Sequence, residues 1–403
     1  MHPELRSCSI TYSIRKDLLV DMNKKQLGVY IHIPFCKSKC AYCDFLSGPS
    51  NDKMKEEYVE ALIRQIKVYA YLAQVYQVRT IYIGGGTPSS IAAKDIQRIL
   101  NTVYSVFDIQ PNSCIEITME ANPGTLTEEK LLIYKKSGIN RLSIGLQATN
   151  DDELRLLGRI HTYQEFVENY QLARACGYDN INIDLMSALP GQTIESWEKT
   201  VTRVIELNPE HISAYSLIIE EGTPFYERYE DGEGLPTEEE DRQMYHITKN
   251  LLRKAGYERY EISNYAKPGY ESRHNSSYWE RIDYIGFGLG ASSCINNTRF
   301  HNEDNLQVFI ENDYTQELGK KEVQELSVRE QMEEFMFLGL RMMKGVDLGA
   351  FDEEFHVDFD RIYGKKVEEL IHEDLLCKQG NKVKLTERGI DLSNYVMSEF
   401  LLG

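Results

Sequence analysis

Three cysteines lie within eight residues of this 403-residue chain, in the segment HIPFCKSKCAYCDF. Cys36, Cys40 and Cys43 follow the pattern Cys-x3-Cys-x2-Cys. Thiolates are soft ligands, so clustered thiols indicate metal or redox chemistry in a reducing compartment. A structural zinc site usually takes four ligands, often from two Cys-x2-Cys pairs, and the sequence has no second pair. Three thiolates on one loop suit a cubane 4Fe-4S cluster with one iron left open for a small molecule.

The elements around this loop alternate regularly. Short β-branched runs predict six strands, over residues 29–33, 80–85, 114–121, 141–147, 181–187 and 211–218. Amphipathic segments between them predict helices over about 53–76, 91–107, 127–137, 151–176 and 194–207. Strand–helix alternation favours parallel strands joined by right-handed crossovers. The sequence therefore predicts an α/β fold, either a barrel or an open partial (β/α)6 barrel.

Polar residues and glycines appear where these strands end. The carboxyl ends of parallel strands share one face of a barrel, and binding sites form there. We therefore expect one site at this face, built from Cys36, Gly84–Thr87, Glu120, Asn122, Gln147, Asp184 and Ser216.

The pattern changes after about residue 222. An acidic connector (230–241) precedes a stretch rich in Tyr, Gly, Ser and Asn (257–300) that shows little regular period. The chain then turns helical and ends in a helix, a short hairpin around Gly380-Asn381 and a final helix, which predicts a small winged-helix-like module in an α+β C-terminal region. The predicted organisation is an N-terminal extension (1–27), the barrel (28–225), a connector region (226–321) and a helical, winged-helix-like domain (322–403). Either Met1 or Met22 is the natural start.

The charge of the chain restricts its partners. There are 63 acidic and 45 basic residues, giving a formal charge of −18. Such a surface argues against nucleic acid as the main partner and against a broad basic membrane patch. No apolar run is long enough to cross a bilayer, and the N-terminus is too charged for a secretory signal. We expect a cytoplasmic protein, and peripheral membrane association stays open.

The motifs taken in order resemble a known family. The three-cysteine motif, with Tyr42 before its last cysteine, is similar to that of the radical S-adenosylmethionine (SAM) superfamily. The resemblance continues through GGGTP (84–88), EANPGT (120–125), RLSIGLQ (141–147), NIDLMSALPGQT (182–193) and SLIIEEGTPF (216–225), and covers nearly the whole chain from Gly28. The ordered series is similar to the branch that contains oxygen-independent coproporphyrinogen III oxidase, also called the dehydrogenase.

This resemblance implies a radical SAM partial (β/α)6 barrel, a 4Fe-4S cluster on three cysteines, and SAM bound to the open iron. Reductive cleavage of SAM would give methionine and a 5′-deoxyadenosyl radical. The sulfonium and amino groups of SAM are positive, so nearby carboxylates stabilise them. The resemblance assigns SAM contacts to Tyr30, Tyr42, Gly85, Gly86, Thr87, Glu120, Gln147, Arg159 and Asp184.

One departure bears on which member of the branch this is. The dehydrogenase carries a fourth cysteine two residues after the third, where this chain has Phe45. A second motif, HNxxYW, resembles the signature of the haem chaperones of this branch. Its residues are His274, Asn275, Tyr278 and Trp279.

The second motif implies haem binding and delivery of haem to recipient haem proteins such as respiratory enzymes. Histidine is a common axial ligand, and Tyr and Trp offer flat faces to a porphyrin. Arg273 is a candidate partner for the propionates, as is Arg281, and Cys294 or His301 could contribute to iron binding. A flavodoxin or ferredoxin would supply electrons if the cluster is reduced.

Three hypotheses remain open on the sequence. The first is a haem chaperone with a cluster and SAM, which need not be an enzyme. The second is an oxygen-independent coproporphyrinogen III dehydrogenase, a radical SAM oxidoreductase. The third is a barrel stabilised by zinc, with His32 as the fourth ligand.

Overall fold

The computed structural model describes residues 24–110, 114–314 and 319–402. The choice between Met1 and Met22 lies outside the described residues, as does most of the predicted extension 1–27. Six parallel strands, β1 to β6, pair in sequence order. They are Lys25–Ile33, Tyr76–Gly85, Glu116–Ala121, Arg141–Gln147, Ile181–Ser187 and His211–Ser216. Long buried runs along these strands are typical of a parallel sheet covered on both faces. The predicted strands and the α/β fold are confirmed.

The crossover helices α1 to α6 are Asp52–Val68, Ala93–Val106, Glu128–Lys136, Asp151–Leu156, Tyr163–Ala175 and Ile194–Leu207. Short 3-10 helices follow α1 (Tyr69–Gln74) and β2 (Pro88–Ser90). The single helix predicted over 151–176 is wrong, because the chain there forms α4 and α5. Gly158 takes a left-handed backbone conformation (φ 75°) after α4, and Thr162 begins α5 with a capping box to Glu165.

The region beyond β6 adds strands to both edges of this sheet. Its elements are α7 (Pro224–Tyr229), α8 (Glu238–Lys254), β7 (Glu258–Arg259), β8 (Asn264–Ala266), α9 (Arg273–Trp279), β9 (Tyr284–Phe287), β10 (Ser292–Ile295), β11 (Thr298–His301), α10 (Leu306–Glu311) and β12 (Lys321–Glu325). The resulting order is β12-β11-β10-β9-β1-β2-β3-β4-β5-β6-β8-β7, with β9 parallel to β1 and β8 antiparallel to β6. The strands β7 to β11 lie around the stretch where the sequence showed little regular period. At two to four residues each, they are too short to display an alternation of apolar and polar residues.

The C-terminal region has its own core. It comprises α11 (Val328–Leu340), β13 (Val346–Asp347), α12 (Leu348–Phe355), a π-helical turn (Asp360–Gly364), α13 (Lys365–His372), β14 (Leu376–Gln379), β15 (Lys382–Leu385), α14 (Glu387–Asp391) and α15 (Ser393–Ser398). The three strands form an antiparallel sheet in the order β13-β15-β14, with the predicted hairpin at Gly380-Asn381. Met336, Phe351 and Val383 pack in its buried core. Among the helices of the described ranges, none is long and apolar enough to cross a membrane.

Candidate functional site

The cysteine loop connects β1 to α1 at the carboxyl end of the sheet. Backbone hydrogen bonds fix the position of this loop: Cys36 N–H donates to Gly48 O, and Ala41 N–H donates to Leu157 O, both at 3.0 Å. Cys36, Cys40 and Cys43 are free thiols that line one cavity of about 350 Å3. We call this the cysteine cavity. The loop therefore presents all three predicted ligands to a common space.

Hydrogen-bond donors surround these thiols. The Thr87 hydroxyl donates to Cys36 Sγ at 3.6 Å, and Arg159 Nη1 donates to Cys40 Sγ at 3.7 Å. Burial raises the pKa of Cys43, and the neighbouring thiols act in the same direction. Within the described ranges, no three His, Cys, Asp or Glu side chains are grouped as ligands of one metal ion. A cubane needs no such grouping, because each thiolate binds a different iron.

His32, the ligand that a zinc site would require, is engaged elsewhere. Its Nδ1 lies 3.0 Å from the Tyr30 hydroxyl and its Nε2 lies 2.9 Å from Leu46 O. The imidazole is buried, and burial lowers its pKa. It is not among the residues that line the cysteine cavity. A zinc ion bound by His32 would break these contacts, so the geometry does not favour the zinc hypothesis.

Two glycines let the GGGTP segment approach the cysteine loop. Gly85 has φ 109°, and a Cβ there would lie 2.5 Å from the His32 ring. A Cβ on Gly86 would lie 2.9 Å from Phe35 O and 3.0 Å from Cys36 Sγ. Larger residues would push the two segments apart. The motif is therefore a contact surface for the cysteine loop as well as a wall of the cavity.

Two acidic side chains, Glu120 and Asp184, line the same cavity. Glu120 accepts hydrogen bonds from the Tyr82 hydroxyl (2.8 Å) and from Gly85 N–H (3.1 Å). Burial raises the pKa of Glu120 to about 7, although the hydrogen bond from Tyr82 favours the carboxylate. Asp184 accepts from Asn182 Nδ2 (2.7 Å) and the Ser143 hydroxyl (3.0 Å), and burial raises its pKa too. Their hydrogen-bond donors are neutral groups, so both acids suit a positively charged ligand.

Arg159 and Gln147 complete the wall. Arg159 Nη2 donates to Asn122 Oδ1 (2.8 Å) and to Gly145 O (2.5 Å), while its buried Nε has no partner in the part of the chain that the structure describes. The strand register shifts between Gly145 and Gln147, and Gln147 has φ 74°. Its Oε1 accepts from the Tyr215 hydroxyl at 3.1 Å. A left-handed non-glycine residue and an unpaired guanidinium nitrogen are typical of a binding site.

The structure brings together all but one of the predicted SAM residues. Those lining the cysteine cavity are Tyr42, Gly85, Gly86, Thr87, Glu120, Gln147, Arg159 and Asp184. Tyr30 instead lines a different cavity. Ser216, expected at the same face, donates to Asp241 at 2.6 Å and is absent from the cavity lining. The sequence prediction missed several lining residues, among them Tyr82, Ser143, Ser213, Tyr215 and Asn264. Period-two polar residues within apolar strands, such as Ser143 and Ser213, were the available signal.

The HNxxYW motif lies on α9 and reaches two cavities. His274 is only 1% exposed, with Nδ1 2.8 Å from the Thr80 hydroxyl and Nε2 2.8 Å from the Tyr278 hydroxyl. Burial lowers its pKa to about 3. Asn275 lines the cysteine cavity, whereas Tyr278 and Trp279 line a second one. The structure thus separates the four motif residues, and His274 has no free ring nitrogen for iron.

The second cavity measures about 480 Å3. We call it the aromatic cavity, and its lining includes Tyr30, His32, Tyr278, Trp279 and Tyr284. Phe45, in the position of the fourth cysteine, is 58% exposed and lines both cavities. Cys294 and His301 are absent from the lining of either one. The two cavities are therefore neighbours that share a side chain of the cysteine loop.

Comparisons with known proteins show which family the chain belongs to. Residues 30–204 match the family described as the radical SAM superfamily, and residues 326–392 match the HemN C-terminal domain. A Lactococcus lactis protein named heme chaperone HemW is 37% identical over 382 residues, covering 94% of this chain and 99% of that protein. The chain belongs to the HemW family of radical SAM proteins. A Bacillus subtilis protein of the same name is 38% identical over 377 residues, covering 93% of this chain and 99% of that protein.

A solved structure supports the fold of this HemW-family chain. The radical SAM enzyme coproporphyrinogen III oxidase (HemN) from Escherichia coli matches with a TM-score of 0.82 at 23% identity, covering 97% of this chain and 93% of that chain. At this identity the likeness concerns the fold. It confirms the predicted radical SAM architecture followed by an α+β C-terminal region.

Radical SAM membership implies a 4Fe-4S cluster and SAM, and the cysteine cavity fits both. Three free thiols stand on one loop, two acidic side chains line the same cavity, and Arg159 Nε has no partner in the described residues. Cys36, Cys40 and Cys43 would hold the cluster, which when bound supplies one electron for cleavage of the sulfonium.

Proposed function

We propose that this protein is a haem chaperone that binds a 4Fe-4S cluster and SAM in the cysteine cavity and delivers haem to recipient haem proteins such as respiratory enzymes. The observation that carries the proposal is the aromatic cavity beside the cluster loop. Its wall combines Phe45, which stands where the dehydrogenase has a cysteine, with Tyr278 and Trp279 of the second motif. The names of the relatives support the same function.

In this proposal each group on the cysteine cavity has a physical task toward SAM. Arg159 lines the cavity and pairs with the methionine carboxylate through its guanidinium. Glu120 and Asp184 stabilise the positive amino acid moiety and bond the ribose, and Gln147 adds a neutral hydrogen bond. The backbone of Gly85, Gly86 and Thr87 approaches the amino group, and Tyr42 lies near the adenine. Tyr30 contacts SAM only if its ring moves from the aromatic cavity.

The second motif has a divided role. Tyr278 and Trp279 offer flat faces to haem, and Asn275 reaches the cysteine cavity. His274 stays a candidate iron ligand only if its contacts with Thr80 and Tyr278 break. As the structure stands, His274 positions Tyr278, because its Nε2 lies 2.8 Å from that hydroxyl.

The proposed function also implies an electron donor and a cellular location. A flavodoxin or ferredoxin would reduce the cluster, the protein would work in the cytoplasm, and contact with a membrane would be peripheral. We also propose the division into an extension (1–27), a barrel (28–225), a connector region (226–321) and a C-terminal domain (322–403). The core around Met336 and Phe351 supports a separate C-terminal domain, whereas residues 25–27 already belong to β1.

Haem titration into cluster-loaded protein tests this function. We expect stoichiometric haem binding, followed by transfer of the haem to an added haem-free recipient protein. Incubation with coproporphyrinogen, SAM and a reductant should give no decarboxylated product. Decarboxylated product without stoichiometric haem binding would instead support the dehydrogenase hypothesis.

A further inference from the structure

We propose that the porphyrin of haem lies in the aromatic cavity and that Arg299, a residue outside both motifs, binds a propionate there. This inference rests on the proposed function and deepens it, because it names the surface that takes the cargo. Arg299 lies on β11, and its side chain lines the cavity together with Tyr284 and Trp279.

The shape of the cavity suits a flat ligand. Tyr278 and Tyr284 meet edge to face, with ring centroids 4.7 Å apart and an interplanar angle of 90°. The Arg341 guanidinium lies over the Trp279 ring, 4.2 Å from its centroid, in a cation–π contact. Leu289 and Leu338 add aliphatic surface. A volume of about 480 Å3 lies in the usual range for cofactor sites, and aromatic walls favour a macrocycle with a delocalised π-system.

The charge of the cavity suits an anionic edge on that ligand. In a chain with formal charge −18, the described lining of this cavity contains no Asp or Glu. Arg299 is the one Lys or Arg side chain within that lining. Its Nη2 pairs with Glu334 Oε1 at 2.8 Å, and its Nε has no hydrogen-bond partner among the described residues. The Arg299 side chain is 43% exposed, and a guanidinium has five N–H donors, so it keeps donors for a carboxylate that arrives with the ligand.

The aromatic cavity lies next to the cysteine loop, so haem bound there would be close to the cluster. Phe45 extends from the cysteine loop into both cavities, two residues after Cys43. Leu46 lines the aromatic cavity next to it, and its carbonyl oxygen contacts His32 Nε2. The loop that holds the cluster is therefore also a wall of the proposed haem site.

Haem titrations on the cluster-loaded full chain test the site, with Soret absorbance as the readout. Arg299→Gln removes the charge, and Ser292→Trp fills the cavity from β10, where Ser292 is exposed and lines the cavity. We expect each variant to weaken haem binding by about ten-fold or more. Arg253→Gln, on the exposed end of α8, is the matched control and should bind haem normally. Iron content and SAM binding should stay unchanged in all variants, which shows that the cysteine cavity is intact.

The dimethyl ester of haem isolates the propionate contact. Since the ester lacks carboxylates, we expect the unmodified protein to bind it as weakly as Arg299→Gln binds haem, with little further loss when ester and variant are combined. Wild-type haem affinity in both Arg299→Gln and Ser292→Trp would overturn the proposed haem site but leave the proposed function standing. Loss in Arg273→Gln without loss in Arg299→Gln would do the same. No haem binding by the unmodified protein would overturn the proposed function and this site with it.

Discussion

The Tyr82 hydroxyl donates a 2.8 Å hydrogen bond to Glu120 Oε1 on the wall of the cysteine cavity. The other oxygen of this carboxyl accepts from Gly85 N–H in the GGGTP segment. The Tyr82 ring also stacks on His274, with centroids 5.1 Å apart. Glu120 is thus hydrogen-bonded to two residues of β2, and one of them, Tyr82, in turn contacts the second motif. We expect the protonation state of Glu120 to change the affinity of this cavity for SAM.

SAM binding should depend on pH through Glu120. Burial raises the pKa of this acid to about 7, so it becomes a carboxylate only as the pH rises through that value. Because SAM is positive beside it, we expect SAM affinity to increase from about pH 6 to about pH 8. Equilibrium dialysis at several pH values measures this. Glu120→Gln should bind SAM more weakly and lose the pH dependence, whereas the exposed Glu129→Gln should keep it. A flat profile for the unmodified protein would refute the assignment.

Whereas SAM affinity should rise with pH, we expect the contribution of Glu120 to the stability of the ligand-free fold to fall with pH. A folded-state pKa above the usual value means that folding favours protonated Glu120, and this contribution is lost as the pH rises through about 7. In ligand-free protein, Glu120→Gln should therefore be more stable than the unmodified chain at about pH 8, by about 1–3 kcal/mol, and similar to it near about pH 5. Thermal unfolding followed by circular dichroism tests this. A variant that is less stable at the higher pH would contradict it.

Each cysteine of the loop should be needed for the cluster. Replacing Cys36, Cys40 or Cys43 with Ala removes one thiolate, and anaerobic reconstitution should then give little iron and little visible absorbance. Cys377→Ala, in the C-terminal strand β14, is the matched control and should load normally. Normal cluster loading of any loop variant would exclude that cysteine as a ligand.

Arg159 should bind SAM through a forked contact. Arg159→Lys keeps the charge but loses the planar donors, so we expect SAM affinity to fall by about ten-fold or more. Isothermal titration calorimetry on cluster-loaded protein measures the change. Arg155→Lys, exposed on α4, should leave the affinity unaltered. Equal effects at both positions would indicate a general loss of structure.

The sequence predicted what depends on local pattern. The six strands form as predicted, and the residues expected at their carboxyl ends line one cavity, apart from Gly84 and Ser216, because the carboxyl ends of parallel strands meet at one face. The aromatic cavity was not predictable, since its walls come from β1, the cysteine loop, α9, β9, β10, β11 and α11, many of which are distant in sequence. His274 was expected at an iron, but a seven-residue helix carries too little pattern to show that this side chain faces inward.

The central claim is that three thiolates leave one iron open to SAM, and electron paramagnetic resonance of the reduced cluster tests it most directly. Anaerobically reconstituted protein should contain about four iron atoms per chain, and adding SAM should change the spectrum because the ligand binds the open iron. A spectrum indifferent to saturating SAM, or a protein that takes up zinc and stays colourless, would contradict the claim.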